Sequence, residues 1–185
     1  GSSNQERGQV SPYLTHELSP QIYNGAQQGE PFDVFVTQEG INEVINRSQW
    51  PKESEGILLY APAVLFIPNT IVLMGTADVK DVKFIITIEL VPKINEKGLL
   101  SLQVTKVKVG AMNITPLAKM MAKKMYAQRL ATVPTDTKAI QAQIVASLLN
   151  DEPFEPIFII DDRKVRITKI TIAEETLLVH FVPAS

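Results

Sequence analysis

Apolar residues crowd the stretch between residues 57 and 109, where they occupy neighbouring positions as well as every second one. Clusters of turn-forming residues divide this stretch into apolar, β-branched segments at 57–67, 70–78, 83–94 and 98–109. Strands in globular proteins usually run about 5 to 6 residues, so these segments are long. The pattern predicts a meander of four antiparallel strands in a curved or rolled sheet.

Two of the predicted strands are apolar on both faces. Ile71 and Leu73 alternate with Val72 and Met74, and the run at 84–88 repeats this feature in the next segment. A strand with one face in water would alternate apolar and polar residues instead. Because large apolar patches are uncommon on the surface of monomers, both faces are expected to be covered.

Three kinds of cover are consistent with this pattern. An ordinary core would place the sheet between helices and its own curled edges. A cavity for a lipid or another apolar small molecule would arise where a rolled sheet wraps a helix. A partner protein or a second copy of the chain would also bury the second face, which leaves a homo-oligomer open.

A short strand and a short helix are predicted before the meander. The segment at 32–36 alternates as a strand, and Thr37 follows it as the cap of an amphipathic helix that carries Ile41, Val44 and Ile45. We expect this helix to share an apolar interior with the two strands that are apolar on both faces.

Two more helices and three more strands are predicted after the meander. Thr115 and Pro116 open a helix that extends to Leu130, and Thr135 or Asp136 caps a second helix over 139–149. Strands resume at 154–160, 164–172 and 176–182. These elements predict one α+β domain over 32–185, with a long curved antiparallel sheet of about seven strands wrapped around amphipathic helices.

Residues 1–31 differ from the rest of the chain. They are rich in Gln, Ser, Gly and Pro, and their few apolar residues show no sustained periodicity. This composition predicts a flexible leader or tether. The alternative is an arm with a short helix opened by Ser19 and Pro20. The start Gly1-Ser2-Ser3 looks like an expression scar, so a signal or an anchor is expected upstream of it.

Composition argues against several classes of function. The net charge of −2 gives no general attraction to phosphate backbones, so nucleic acid is not an expected partner. The chain has no cysteine and only two histidines, His16 and His180, which leaves too few ligands for a zinc site. No Gly-x-Ser-x-Gly motif is present. We predict a protein that is not an enzyme and that has no metal and no cofactor.

Methionines and lysines coincide in the helix predicted at 117–130. Its methionines are Met120, Met121 and Met125, and its lysines are Lys119, Lys123 and Lys124. Methionine adapts to irregular apolar shapes, and lysine attracts anionic head groups. We predict that Met121 and Met125 border a ligand path, while the three lysines face an anionic membrane surface. The alternative is a core-facing methionine stripe with a solvated basic face.

The predicted ligand-lining set joins these methionines to the two-faced strands and the first amphipathic helix. Its members are Ile41, Val44, Ile45, Leu73, Met74, Ile86, Ile88, Met121 and Met125. All of them are apolar, which is the chemistry that a lipid-type ligand requires.

Two stretches resemble the small membrane-tethered bacterial branch of the tubular lipid-binding superfamily, the fold relatives of bactericidal permeability-increasing protein. The first is Phe35-Val36-Thr37-Gln38-Glu39-Gly40-Ile41-Asn42, a strand end followed by a capped helix. The second runs from Gly98-Leu99-Leu100-Ser101-Leu102-Gln103-Val104 through Gly110 to Ile114-Thr115-Pro116, a strand, a glycine and a proline-opened helix.

The resemblance implies an elongated antiparallel sheet around a helix, with a lipid-accessible seam and no catalytic residues. It also implies a place in the cell envelope, outside the cytoplasm, with a membrane tether in a segment that precedes Gly1. We therefore expect a protein that binds a lipid or another apolar ligand at a bacterial envelope membrane. The alternative is a structural or assembly protein whose second apolar sheet face meets a partner.

Overall fold

The computed structural model describes residues 10–132 and 139–185, and it confirms the α+β class. A π-helical segment, Tyr13–Leu18, runs directly into the first α-helix. The α-helices of the described residues are α1 (Ser19–Gln27), α2 (Gln38–Asn46), α3 (Thr115–Thr132) and α4 (Ile140–Asn150). The predicted helix caps Thr135 and Asp136 lie outside the described residues.

The strands form two antiparallel sheets. Eleven strands are present in the described residues: β1 (Phe32–Thr37), β2 (Lys52–Ser54), β3 (Ile57–Leu59), β4 (Ala63–Ile67), β5 (Thr70–Val79), β6 (Val82–Ile94), β7 (Leu100–Val109), β8 (Met112–Asn113), β9 (Ile157–Ile160), β10 (Arg163–Ala173) and β11 (Thr176–Pro183). The small sheet has the order β1-β11-β10-β9. The large sheet has the order β2-β3-β5-β6-β7-β8, with β4 also paired to β5.

The predicted long antiparallel sheet of about seven strands is present as the large sheet, but the C-terminal strands predicted to belong to it lie in the small one. The C-terminal strands pair with β1, which is distant in sequence, and leave the meander to form its own sheet. The two sheets meet where the turn between β10 and β11 contacts the β4–β5 hairpin: Asn69 N donates to Ile172 O at 3.0 Å, and Glu175 N donates to Phe66 O at 2.9 Å. Pro62 lies between β3 and β4, where the predicted strand at 57–67 is interrupted.

The N-terminal segment is part of the small-sheet core. Leu18 and Ala26 are buried with Val34, Val165 and Phe181. The prediction of a flexible leader is therefore wrong for residues 13–27, while residues 1–9 lie outside the described part of the chain. The core-facing residues Tyr13, Leu18, Ile22 and Ala26 are spaced by five, four and four positions. The five-residue step belongs to the π-helical segment, so the stripe does not follow the ordinary helical period.

Side-chain amides and a hydroxyl group of the N-terminal helical segments and α2 cover one edge strand of each sheet. Phe35 N of the edge strand β1 donates to Gln21 Oε1 at 3.0 Å, and Thr37 N donates to the Tyr13 hydroxyl oxygen at 2.9 Å. On β4, Val64 N donates to Asn42 Oδ1 at 2.7 Å, and Asn42 Nδ2 donates to Val64 O at 2.9 Å. Covering an edge in this way satisfies backbone groups that could otherwise pair with another chain.

Thr37 caps α2 as predicted. Its hydroxyl oxygen accepts a hydrogen bond from Gly40 N at 3.1 Å, which satisfies one of the free amides of the first helical turn. The cap directs Ile41 and Ile45 onto a second core cluster that contains Val64 and Phe66 of β4.

Candidate apolar binding site

The inner face of the large sheet is a continuous apolar surface. Strand register places Leu73 of β5 opposite Ile88 of β6, which in turn lies opposite Val107 of β7. The next row joins Ile71, Leu90 and Val104 in the same way. Because side chains alternate across a strand, these residues all point to one side of the sheet.

The outer face of the large sheet is only partly covered. Met74 is 37% exposed and Ile85 is 55% exposed, whereas Val91 is half-buried. Lys106 and Glu89 face each other in register on this side. The expectation that both strand faces are covered is therefore wrong for Met74 and Ile85, although Val72 on the same face is buried. The cavity lies on the inner face. Met74 points away from its neighbour Leu73 and cannot line the same cavity.

Helix α3 packs on the inner face with its small residues. Ala118 and Ala122 line the space next to the sheet, whereas Leu117, Met120, Met121 and Met125 are exposed and do not line it. Met121 is 54% exposed and Met125 is 58% exposed. An amphipathic helix normally turns its large apolar residues to the core. Helix α3 is inverted with respect to that rule, and we call this feature the inverted helix.

Helix α4 is fixed to β7 by a buried serine. Ser147 is fully buried, and its hydroxyl oxygen accepts a hydrogen bond from Leu102 N at 2.8 Å. The next two residues, Leu148 and Leu149, approach the space between the sheet and α3. The helix thus forms the second wall of that space.

A cavity of about 300 Å³ separates the two helices from the sheet. Its apolar lining consists of Leu73, Ile88, Leu90, Val104, Val107, Ala118, Ala122, Leu148 and Leu149. Ligand pockets usually measure roughly 300 to 1,000 Å³, so the volume lies at the lower end of that range. The alanines of the inverted helix are too short to fill this space, which explains why it is present.

Charged groups lie only at the rim of this cavity. Its remaining lining residues, Lys119, Lys123 and Asp151, are all exposed. Neither lysine forms an ion pair with any side chain that the structure describes. Lysine stems can cover apolar surface while the ammonium group stays in water. The rim therefore offers positive charge to a ligand whose apolar part occupies the cavity.

A second depression, of about 280 Å³, lies between α3, α4 and the segment before β9. Its lining includes Arg129, Glu152 and Tyr126, whose hydroxyl group donates to Glu152 at 3.1 Å. Burial and this hydrogen bond to a carboxylate raise the pKa of Tyr126. Polar groups inside the depression make it less suitable for an apolar ligand.

The predicted lining residues are distributed over several places. Leu73 and Ile88 line the cavity, and Ile86 lies on the same face but one row beyond it. Ile41 and Ile45 pack in the filled core of α2 and β4, with Leu73 at its border. Val44 is half-buried on α2 and is not among the residues that line the cavity.

The predictions for the methionine helix also need correction. Met121 and Met125 are exposed and are not among the residues that line the cavity, so they neither border it nor form a core-facing stripe. Lys119 and Lys123 stand at the cavity rim, and Lys124 is exposed on the outer side.

Sequence reasoning missed most of the cavity wall. Leu90, Val104, Val107, Leu148 and Leu149 belong to apolar runs in which no single residue stands out. A signal was present in α3, where Ala118 and Ala122 are four positions apart and therefore share one helix face. Where such a face of small residues packs on a sheet, it leaves space between the helix and the sheet.

A polar pair of the described residues lies outside this region, on the small sheet. His180 Nδ1 lies 2.5 Å from Asp33 Oδ1 on the outer side of the small sheet. Within 10–132 and 139–185, no three His, Asp or Glu side chains are grouped so that they could hold a metal ion. No helix in that part of the chain is both long and apolar enough to cross a membrane.

The sequence matches no protein-family model, and no curated protein is similar enough to count as a relative.

Proposed function

We propose that this protein binds an apolar ligand of the lipid type in the cavity between α3, α4 and the inner face of the large sheet. The inverted helix is the observation that carries this proposal, because a helix that turned its leucine and methionines inward would fill the space itself. The same proposal includes a relation to the tubular lipid-binding superfamily and a place at a bacterial envelope membrane. Both of these parts derive from the sequence patterns.

Energetics favour an apolar occupant over water. Water needs hydrogen-bond partners in a cavity, and the inner wall here consists of aliphatic side chains and alanines. Each methylene group transferred from water contributes about 0.8 kcal/mol. A single acyl chain of about ten methylenes would gain roughly 8 kcal/mol before the costs of association are subtracted. One chain, with an anionic group at the lysine rim, suits both the volume and the charge.

An assembly role is the alternative, and one observation favours it. The inner face continues past α3 toward the end of the β5–β6 hairpin, where Leu59, Val82 and Phe84 are exposed. A partner or a second copy of the chain would bury these residues. A stable ligand-free dimer in solution would support this alternative.

The ligand proposal is tested by filling the cavity. Ala122→Phe places an aromatic ring in the space beside the sheet, and Ala127→Phe places the same ring on an exposed position of the same helix. Binding of a fluorescent anilinonaphthalene dye, and its displacement by palmitate, is measured by titration. We expect at least a tenfold weaker affinity for Ala122→Phe and no change for Ala127→Phe.

Equal affinities in the two variants would contradict the proposal. If Ala122→Phe does not fold, as judged by circular dichroism, the smaller change Ala118→Val replaces it with the same expected direction. Palmitate that fails to displace the dye from the wild type would also count against the proposed site.

A further inference from the structure

We infer that the outer side of α3 docks onto an anionic lipid surface. Met120 lies opposite Ala118 and Ala122 on the helix, and Leu117 and Met121 are its neighbours, so these three exposed side chains form an apolar stripe along that side. Apolar residues in such a stripe can enter the boundary between lipid head groups and acyl chains, as those of interfacial helices do. We call this set the outer stripe.

The charge of the helix is complementary to such a surface. Between Thr115 and Thr132 the chain carries Lys119, Lys123, Lys124 and Arg129 but no Asp or Glu, although the whole protein has a net charge of −2. Positive charge is thus concentrated on the element with the exposed methionines. Each lysine close to an anionic membrane strengthens binding on the order of fivefold.

A second copy of the chain is a poorer occupant of this side. A symmetric dimer brings the same patch of both protomers together. The lysines of one α3 would then approach those of the other, with no acidic residue on the helix to compensate. Like charges in such a contact oppose association.

The position of the cavity makes a lipid surface the best-fitting occupant, and this step rests on the proposed function. Lys119 and Lys123 stand at the rim of the cavity and on the same helix as the outer stripe. Docking of α3 would bring the rim close to the head groups of a membrane. An apolar ligand could then pass between the bilayer and the cavity with little exposure to water.

The test uses the full chain and co-sedimentation with vesicles of phosphatidylcholine alone or of phosphatidylcholine mixed with phosphatidylserine. The variant Met120→Ser, Met121→Ser, Lys124→Glu changes only exposed residues of α3 that do not line the cavity. Its matched control is Met74→Ser, Ile85→Ser, Lys93→Glu, which makes the same kinds of change on exposed residues of the large sheet. We expect the first variant to bind mixed vesicles more than tenfold more weakly than the wild type, and the control to bind equally well.

Dye binding in the same proteins separates this inference from the proposed function. The outer-side variant is expected to keep the wild-type affinity for the dye, because none of its three changes lines the cavity. The docking inference is overturned if the wild type does not bind mixed vesicles at low salt, or if both variants bind as it does. It is also overturned if the wild type is a dimer that the outer-side variant dissociates. Failure of the dye to bind the wild type would contradict the cavity proposal alone.

Discussion

The helical covers of the two sheets are built in opposite ways. The N-terminal segment turns Leu18 and Ile22 into the small-sheet core, and Gly25 lets the ring of Phe32 approach the helix backbone closely. Helix α3 turns alanines to the large sheet and keeps Met121 and Met125 in solvent. One cover is close-packed, and the other leaves a cavity.

This difference separates stability from function within one domain. Close packing with caps on the sheet edges gives the small sheet the contacts that resist local opening. The helices that cover the large sheet are packed less closely, because a cavity lies beneath them. Regions that bind ligands commonly belong to the less stable parts of a protein. The following changes are expected to affect the two covers differently.

The largest effect is expected from Leu18→Ala. It removes a buried side chain from the small-sheet core, so the free energy of unfolding should fall by about 2 to 5 kcal/mol. Met121→Ala on the exposed side of α3 should change it by no more than about 0.5 kcal/mol. Urea unfolding followed by circular dichroism measures both. A loss below about 1 kcal/mol for Leu18→Ala would mean that the N-terminal segment is a tether after all.

Ser147→Ala tests how α4 is held to the large sheet. The substitution leaves Leu102 N without its buried acceptor, which should cost about 1 to 3 kcal/mol of unfolding free energy. Gln141→Ala, at an exposed position of the same helix, is the control and should be nearly neutral. If the two variants unfold at the same urea concentration, the serine hydrogen bond does not anchor the helix.

A smaller effect is expected from Gly40→Ala, because two terms oppose each other. Alanine favours a helix over glycine by about 1 kcal/mol, but the new methyl group would overlap the ring of Tyr13. Overpacking of this kind costs about 1 to 3 kcal/mol, so a net loss of about 1 kcal/mol is expected. In a Tyr13→Ala background the same change should become neutral or stabilising. An equal loss in both backgrounds would show that Tyr13 is not the cause.

The sequence predicted the elements with local signals correctly. Turn residues indicated the ends of β5, β6 and β7, Thr37 indicated the start of α2, and Thr115 with Pro116 indicated the start of α3. Each of these signals acts within a few residues along the chain, so a single sequence is sufficient to find it.

Features that depend on distant contacts were not predictable in this way. The pairing of β1 with β11 joins opposite ends of the chain, and the π-helical step between Tyr13 and Leu18 hides the N-terminal stripe. The orientation of α3 had only a weak signal in the spacing of Ala118 and Ala122, since the helix carries apolar residues on every side and its packing decides which ones face the sheet. The cavity follows from that orientation.

Native mass spectrometry of gently purified protein tests the central claim most directly. The wild type and Ala127→Phe should carry the added mass of one apolar ligand, either as purified or after incubation with palmitate, and solvent extraction should remove it. Ala122→Phe should be ligand-free under the same conditions. A wild-type protein that stays ligand-free after incubation with palmitate, or an Ala122→Phe variant that retains the ligand, would contradict the account.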